Sequence, residues 1–190
     1  MAKLLFRYGA MNSGKTTNLI QVAYNYEELG HKVIIAKPLI DTKGGDKVTT
    51  RIGLERKVDY LIGPKDSFLK VDLKKIAAIL VDEVQFLTPE QIEELWYIVK
   101  LKGVAVVCYG LKVSFNSYSF PGSIRLFELA DELTELATIC DCGVKARFIG
   151  RKINGEYQAD GPQVVIDGEA DVQYESLCGR CYIKKVRKVK

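Results

Sequence analysis

The chain has no apolar run longer than six residues. Ile76 to Val81 is one such run and stops at Asp82, far short of the ~20 residues that a membrane-spanning helix needs. A membrane partner is therefore not expected. The first residues run straight into a strand pattern, so no signal peptide is expected ahead of it. Histidine occurs once, at His31 after Gly30, and is read as a surface residue that offers no catalytic argument. A guanine-reading N-K-x-D motif is missing, which weighs against a GTPase. An excess of one charge is also missing, because 28 Lys and Arg against 24 Asp and Glu leave a net charge of only +4. Much of that excess sits in Lys184, Lys185, Arg187, Lys188 and Lys190. This run is read as a solvated, disordered terminus, and nucleic acid is not expected as a partner.

What the sequence does contain is Gly9-Ala10-Met11-Asn12-Ser13-Gly14-Lys15-Thr16, a complete G-x-x-x-x-G-K-[ST] phosphate loop. Its glycines let consecutive backbone N–H groups point at phosphate oxygens. Lys15 supplies a cation for the β- and γ-phosphates, and the Thr16 hydroxyl can ligate Mg²⁺. The motif needs a strand before it and a helix after it. Leu4-Leu5-Phe6 is a strand candidate, while Leu19, Ala23, Tyr26 and Leu29 share a helical face that Gly30 is placed to end.

With 190 residues the chain can build one main core and leave room for a small appendage. Strand and helix patterns alternate through its first two-thirds, the signature of a parallel sheet covered by helices. Lys32 to Lys37 is a buried-strand pattern closed by Pro38. Leu39 to Arg56 is polar, contains glycine and is too long for a routine connection. Val58 to Ile62 is a short strand, and Ile76 to Val81 suits a central strand buried on both faces. Thr88, Pro89 and Gln91 open a helix by capping, by a first-turn proline and by a reciprocal capping box. That helix buries Ile92, Leu95 and Val99 and stops before Gly103. Val104 to Tyr109 reads as a strand ended by Gly110, and Ile124 to Leu133 as the last helix of the main domain.

Asp82 and Glu83 follow the central strand, and ligands of such sheets bind at the carboxyl ends of strands. Asp82 suits a Mg²⁺ partner and Glu83 a general base, unless the pair merely ends a strand at the surface. Five cysteines beside a nucleotide site argue for a reducing, cytoplasmic setting, where paired cysteines more often hold metal than form disulfides. Cys140-Asp141-Cys142 and Cys178-Gly179-Arg180-Cys181 bracket a hairpin pattern, Ala146 to Ile153 and Glu156 to Gln158, around the turn Asn154-Gly155. Four thiolates there suit tetrahedral Zn²⁺, which would supply folding energy that this small region cannot raise alone; unligated buried thiols are the alternative. The Cys140–Cys142 spacing makes a tight chelate. Cys108 lies in a buried-strand pattern and reads as core.

Five ordered blocks carry a family resemblance: the phosphate loop, Lys37 to Asp41, Asp82-Glu83-Val84-Gln85-Phe86, Gly110-Leu111 leading to Phe115, and Cys140/Cys142 with Tyr174 to Cys181. On these the chain resembles the type II thymidine kinases, the zinc-containing P-loop deoxynucleoside kinases. The resemblance implies an α/β fold, with a RecA-like P-loop NTPase parallel sheet over residues 1–137 and a zinc-binding lasso domain with a basic tail over 138–190. It implies transfer of the ATP γ-phosphate to the 5′-hydroxyl of thymidine or deoxyuridine. Glu83 would be the base, Thr16 and Asp82 would hold Mg²⁺, and ATP would meet Gly9, Ala10, Met11, Asn12, Ser13, Gly14, Lys15, Thr16, Asp82 and Gln85. Met11, Phe86, Leu111, Phe115 and Tyr174 would wall the nucleoside, Asp41 would lie near phosphate and metal, and Cys140, Cys142, Cys178 and Cys181 would bind Zn²⁺. A homotetramer is also implied. Lys43 and Asn116 stand where the family usually has arginine, Lys112 where it has an acid, and the first cysteine pair is one residue shorter than C-x-x-C. A P-loop ATPase without a nucleoside substrate, or a catalytically silent nucleotide-binding module, would share the phosphate loop.

Overall fold

The computed structural model describes residues 1–42, 44–163 and 171–189. The chain opens with β1 (Leu4–Tyr8) and α1 (Lys15–Glu28), followed by β2 (Lys32–Pro38). A small antiparallel hairpin, β3 (Lys47–Thr49) with β4 (Glu55–Lys57), precedes β5 (Tyr60–Ile62) and β6 (Ile76–Val81). Next come α2 (Pro89–Tyr97), β7 (Ala105–Gly110), α3 (Pro121–Leu129) and β8 (Glu132–Glu135). The remaining elements are β9 (Thr138–Ile139), β10 (Lys145–Ala146), β11 (Phe148–Ile153), β12 (Glu156–Gln158), β13 (Val172–Leu177) and the short α4 (Gly179–Tyr182).

Six strands form one parallel sheet in the order β5-β2-β6-β7-β1-β8. Residue alternation distributes their side chains between two cores. Leu4, Phe6, Ile34, Ala36, Ile79, Val81, Val106 and Cys108 pack with Ile92 and Leu95 of α2 and Leu126 of α3. Ile35, Ala78, Leu80, Val107 and Tyr109 pack with Leu19 and Ala23 of α1 on the opposite face. Strand β6 is central, so both of its faces are covered and its sequence is apolar without interruption. Burial also pushes the Cys108 thiol up from its ordinary range, in keeping with its place in the core.

Local signals explain the element ends. Thr88 Oγ1 accepts from Gln91 N (3.2 Å) and Gln91 Oε1 accepts from Thr88 N (3.1 Å), completing the capping box of α2. Helix α1 ends at Glu28, and Gly30 follows at φ +77°. Leu29, expected on the buried face, instead lies past the last turn and is exposed. The stretch from Leu39 to Arg56 holds all but the last residue of the β3–β4 hairpin, whose turn is closed by Leu54 N donating to Thr50 Oγ1 at 2.8 Å.

The expected helix over Ile124 to Leu133 is displaced. It starts at Pro121 and ends at Leu129, because Ala130 turns extended and Asp131 Oδ2 accepts from Leu4 N at 2.8 Å. The following residues then run as β8 alongside β1. The basic terminus also differs from a disordered tail. Residues Ile183–Arg187 form a helical turn that buries Val186, and Arg187 Nη2 donates to Asn116 O at 2.9 Å.

Past β8 the chain builds smaller pieces, a β9–β10 pair and a three-stranded antiparallel sheet in the order β12-β11-β13. Asn154 (φ 51°) and Gly155 (φ 82°) make the left-handed turn between β11 and β12. Cys140, Ala146, Leu177, Cys178, Tyr182 and Val186 form a separate small core. Ser176 Oγ donates to Met11 O (2.5 Å), Tyr182 Oη to Phe115 O (2.6 Å) and Arg187 Nη2 to Asn116 O and Ser117 Oγ, bonds that join this region to the main sheet's loops. Of the segment expected to form the lasso, residues 164–170 lie outside the described residues.

Candidate functional site

The loops after β1, β6 and β7 meet at one edge of the sheet, since β7 lies between the other two strands. Gly9 N donates to Gly110 O at 3.3 Å. A Cβ on Gly9 would stand 2.4 Å from Leu136 O and 2.5 Å from Ser13 Oγ, so only glycine fits. Asn12 (φ 63°) and Gly14 (φ 74°) are left-handed and curl the loop into the start of α1. Lys15 is 7 % exposed, and its Nζ donates to Ala10 O at 2.8 Å. Burial lowers the pKa of its ammonium, against the opposing pull of Glu83 and Asp82.

Thr16 Oγ1 donates to Asp82 Oδ2 at 2.9 Å, which binds the loop's hydroxyl to the acid at the end of β6. Asp82 is 3 % exposed. Burial first, then the Glu83 carboxylate, pushes its carboxyl up to about 7, while the hydrogen bonds from Thr16 and Glu83 N oppose that shift. Glu83 sits in the left-handed region at φ 48°, a strained backbone for a residue with a side chain. Its carboxylate accepts from Gln85 Nε2 at 2.5 Å, and Gln85 Oε1 accepts from Leu111 N at 3.0 Å. Gln85 is thus placed between Glu83 and Leu111, and a Cβ on Gly110 would come within 2.6 Å of Gln85 Oε1. Asp41 accepts from Lys37 Nζ at 3.1 Å.

Lys15, Thr16 and Glu83 face a cleft of about 270 Å³, lined by residues 11–17 and 49–52 together with Glu83 and Leu111; Asp41, Asp82 and Gln85 are not part of its lining. The hairpin tip is a wall that the sequence reading did not identify. It brings the guanidinium-bearing Arg51 to the phosphate-loop side, and the only signal for it was the unusual length of the Leu39 to Arg56 connection.

Of the residues expected around a nucleoside, Met11 and Leu111 line this cleft, whereas Phe86, Phe115 and Tyr174 are not part of its lining. Phe86 is half-buried and meets Phe120 edge-to-face, with centroids 5.6 Å apart. Phe115 is 1 % exposed, and the Arg151 guanidinium lies over its ring. Tyr174 is half-buried on β13, directly opposite Arg151 in the β11–β13 ladder.

The four paired cysteines converge. The Sγ atoms of Cys140, Cys142, Cys178 and Cys181 all lie within 4.8 Å of one another. Tetrahedral Zn–S bonds of ~2.3 Å require sulfurs about 3.8 Å apart, so the donor set fits Zn²⁺ and the one-residue spacing is no obstacle. Burial raises the Cys140 thiol, but hydrogen bonds from the backbone N–H groups of Cys142 and Cys178 outweigh it and bring it down to about 7. The N–H of Cys181 lowers Cys178 in the same way. Such hydrogen bonding favours the thiolates of Cys140 and Cys178, while hydrogen bonds with the Cys142, Cys178 and Cys140 sulfurs push the Cys181 thiol up to about 12. Among the described residues no helix is long and apolar enough to cross a membrane.

The family profile described as thymidine kinase matches residues 2–182. A thymidine kinase of Chromobacterium violaceum is 44 % identical over 184 residues, covering 96 % of this chain and 98 % of that protein. One from Jannaschia sp. is 40 % identical over 98 % of this chain and 97 % of its own length. A third, from Mannheimia succiniciproducens, is 38 % identical over 100 % of this chain and 99 % of its own. Among solved structures, the Pif1 helicase of Candida albicans overlaps 71 % of this chain and 36 % of its own at a TM-score of 0.42 and 11 % identity, too distant to inform function. Likeness over the full length to proteins of one name, on a chain whose phosphate loop and strand-end acids converge, establishes that this chain belongs to the thymidine kinase family.

Proposed function

We propose that the chain transfers the γ-phosphate of ATP to the 5′-hydroxyl of thymidine, and of deoxyuridine, giving ADP and the nucleoside monophosphate. The observation that carries this reading is the tie from Thr16 Oγ1 to Asp82 Oδ2, with Glu83 beside it in the cleft. Two hard oxygen donors 2.9 Å apart suit Mg²⁺, which would neutralise charge on the β- and γ-phosphate oxygens. Residues 9–16 would cradle the phosphates through backbone N–H groups, and Lys15 would add its cation to the equatorial oxygens. Glu83, held by Gln85, would take the proton from the 5′-hydroxyl as that oxygen attacks the γ-phosphorus. Gln85, which would also meet ATP, orients the base through this bond. Met11, Phe86, Leu111, Phe115 and Tyr174 would enclose the nucleoside.

The reading divides the chain into a nucleotide-binding unit over 1–137 and a zinc-anchored lasso unit over 138–190. Zn²⁺ on Cys140, Cys142, Cys178 and Cys181 would tie together the two ends of the lasso. Five free thiols, four of them clustered, favour a reducing cytoplasmic setting. The assembly proposed is a homotetramer. Transfer of labelled phosphate from ATP to a panel of deoxynucleosides tests the reaction. Product on thymidine and deoxyuridine supports it. ATP hydrolysis unaffected by any nucleoside would instead indicate an ATPase, and binding without turnover a silent module.

A further inference from the structure

Arg151 is the largest fully buried side chain among the described residues, 2 % exposed, and it extends from the central strand of the three-stranded sheet. Among the described residues its partners are two main-chain carbonyls and an aromatic face, with no carboxylate. Nη1 donates to Pro162 O at 2.6 Å and Nη2 to Asp160 O at 3.4 Å, while the guanidinium carbon stands 3.5 Å from the centroid of the Phe115 ring. Nε has no hydrogen-bond partner among the described residues. A buried cation that meets no counter-charge among the described residues, and that leaves one donor unmet there, is costly. A scaffold that needed only bulk at this point could use a leucine.

What the side chain joins gives the arrangement a purpose. Phe115 belongs to the loop after β7 that faces the catalytic acids. Asp160 and Pro162 belong to the chain leaving β12, which returns at Asp171 to enter β13. Arg151 and Tyr174 are direct cross-strand partners and therefore share a face of the sheet. One guanidinium thus fixes the aromatic wall against the outgoing limb, on the strand that is paired with the returning limb. Only a planar fork can stack on a ring and at the same time direct donors at two carbonyls two residues apart; an ammonium cannot.

We propose that Arg151 is a positioning residue that sets nucleoside affinity and base discrimination by holding Phe115, the 160–162 segment and the Tyr174 strand in register. The inference rests on the nucleoside-kinase reading above. It places the guanidinium's effect on the nucleoside and not on ATP, because none of its contacts touches the phosphate loop.

Steady-state kinetics with thymidine, deoxycytidine and ATP tests it. In Arg151→Lys, the KM for thymidine rises about tenfold or more, the preference for thymidine over deoxycytidine narrows, and the KM for ATP stays within about twofold. Gly161→Ala probes the same clamp from the other side. A Cβ there would come 2.8 Å from Arg151 Nη2 at a backbone φ of +125°, so the same kinetic pattern is expected with Arg151 intact. It also carries the test if the Arg151 variant does not fold. In a Phe115→Leu background, Arg151→Lys has a smaller effect than in the wild type, because the stack is already gone. Unchanged thymidine KM and discrimination in both single variants would overturn the proposal, as would an equal rise in the KM for ATP. Absence of thymidine phosphorylation by the wild type would overturn the parent reading itself.

Discussion

Gln85 Nε2 donates to Glu83 Oε2 at 2.5 Å while Gln85 Oε1 accepts from Leu111 N, so one buried amide holds the acid at the end of β6 against the loop after β7. The amide cannot rotate without losing both bonds. Glu83 is therefore held in place before substrate arrives, as the role of general base proposed for it requires.

Glu83→Gln keeps the shape of this pair and removes the basicity. Turnover on thymidine falls by about two to four orders of magnitude, the usual worth of general-base catalysis, while ATP binding survives. Single-turnover kinetics beside equilibrium ATP titration checks both halves. Equal loss of ATP binding would show that Glu83, rather than Asp82, serves the metal.

Lys15→Ala separates catalysis from stability. Taking the Lys15 ammonium out of water opposes its charge, since burial is the largest influence on it and acts to lower its pKa. Removing it therefore leaves the unfolding midpoint of nucleotide-free protein unchanged or slightly higher, while turnover is lost with the charge-assisted contact to phosphate. Melting curves with and without ATP–Mg²⁺ make the comparison, and kinase activity at wild-type level in this variant would refute the loop's role.

Zinc analysis is expected to give one ion per chain, bound where four Sγ atoms lie within 4.8 Å of one another. Cys178→Ser loses metal and about 3 kcal/mol of stability, which for a chain of this size lowers Tm by ~10 °C. Chelation of the wild type gives a loss in the same direction. Full zinc occupancy and an unchanged Tm in Cys178→Ser would exclude this ligand set.

The elements that could be read from the sequence are those whose cause is local. The phosphate loop with its flanks, the capping box at Thr88, the turn at Asn154-Gly155 and the doubly covered strand β6 each announce themselves within a few residues. The misread elements depend on distant partners. Leu133 continues a helical spacing, yet Asp131 is drawn to Leu4 N, 127 residues away in sequence, and the chain that follows becomes β8. The basic terminus looks like a solvated tail until Val186 finds the small core around Tyr182. At the site, the cysteine spacing and the acid pair were visible in order, whereas the approach of the β3–β4 tip with Arg51 to the phosphate loop is a tertiary fact with no motif of its own.

Asp131 offers a test of that long-range lock through pH. The hydrogen bond from Lys100, then the one from Leu4 N, holds its carboxyl below the usual carboxylate range. With the folded value depressed, the folded state binds fewer protons than the unfolded one through this window. The stabilisation is complete above the unfolded value of about 4 and is lost as pH falls through the folded one. Asp131→Asn costs about 0.5–1 kcal/mol near neutral pH, a figure discounted for its partial exposure, and the difference from wild type disappears in acid. Urea denaturation at a series of pH values measures it, and a constant difference down to low pH would exclude the charge as its source.

Nucleoside choice is expected to follow hydrogen-bond polarity. Thymine presents acceptor, donor, acceptor along its pairing edge, whereas cytosine accepts at N3 and donates at N4. A frame of backbone groups that satisfies one mispairs with the other, and buried groups left unpaired cost several powers of ten in kcat/KM when a site is built around those bonds. The chain between Arg147 and Tyr174 is the segment proposed to supply that frame, with residues 164–170 of it outside the described structure. Its ends are held by the β11–β13 ladder, and Ser176 Oγ bonded to Met11 O seats β13 against the phosphate loop. Thymidine and deoxyuridine are therefore used and deoxycytidine is rejected. Tyr174 lies at the edge of this frame and adds stacking and exclusion of water, so Tyr174→Ala weakens thymidine use about tenfold or more while sparing ATP use. Comparable kcat/KM for thymidine and deoxycytidine in the wild type would overturn backbone readout. A Tyr174→Ala effect shared equally by ATP would show that the ring supports the fold and not the nucleoside.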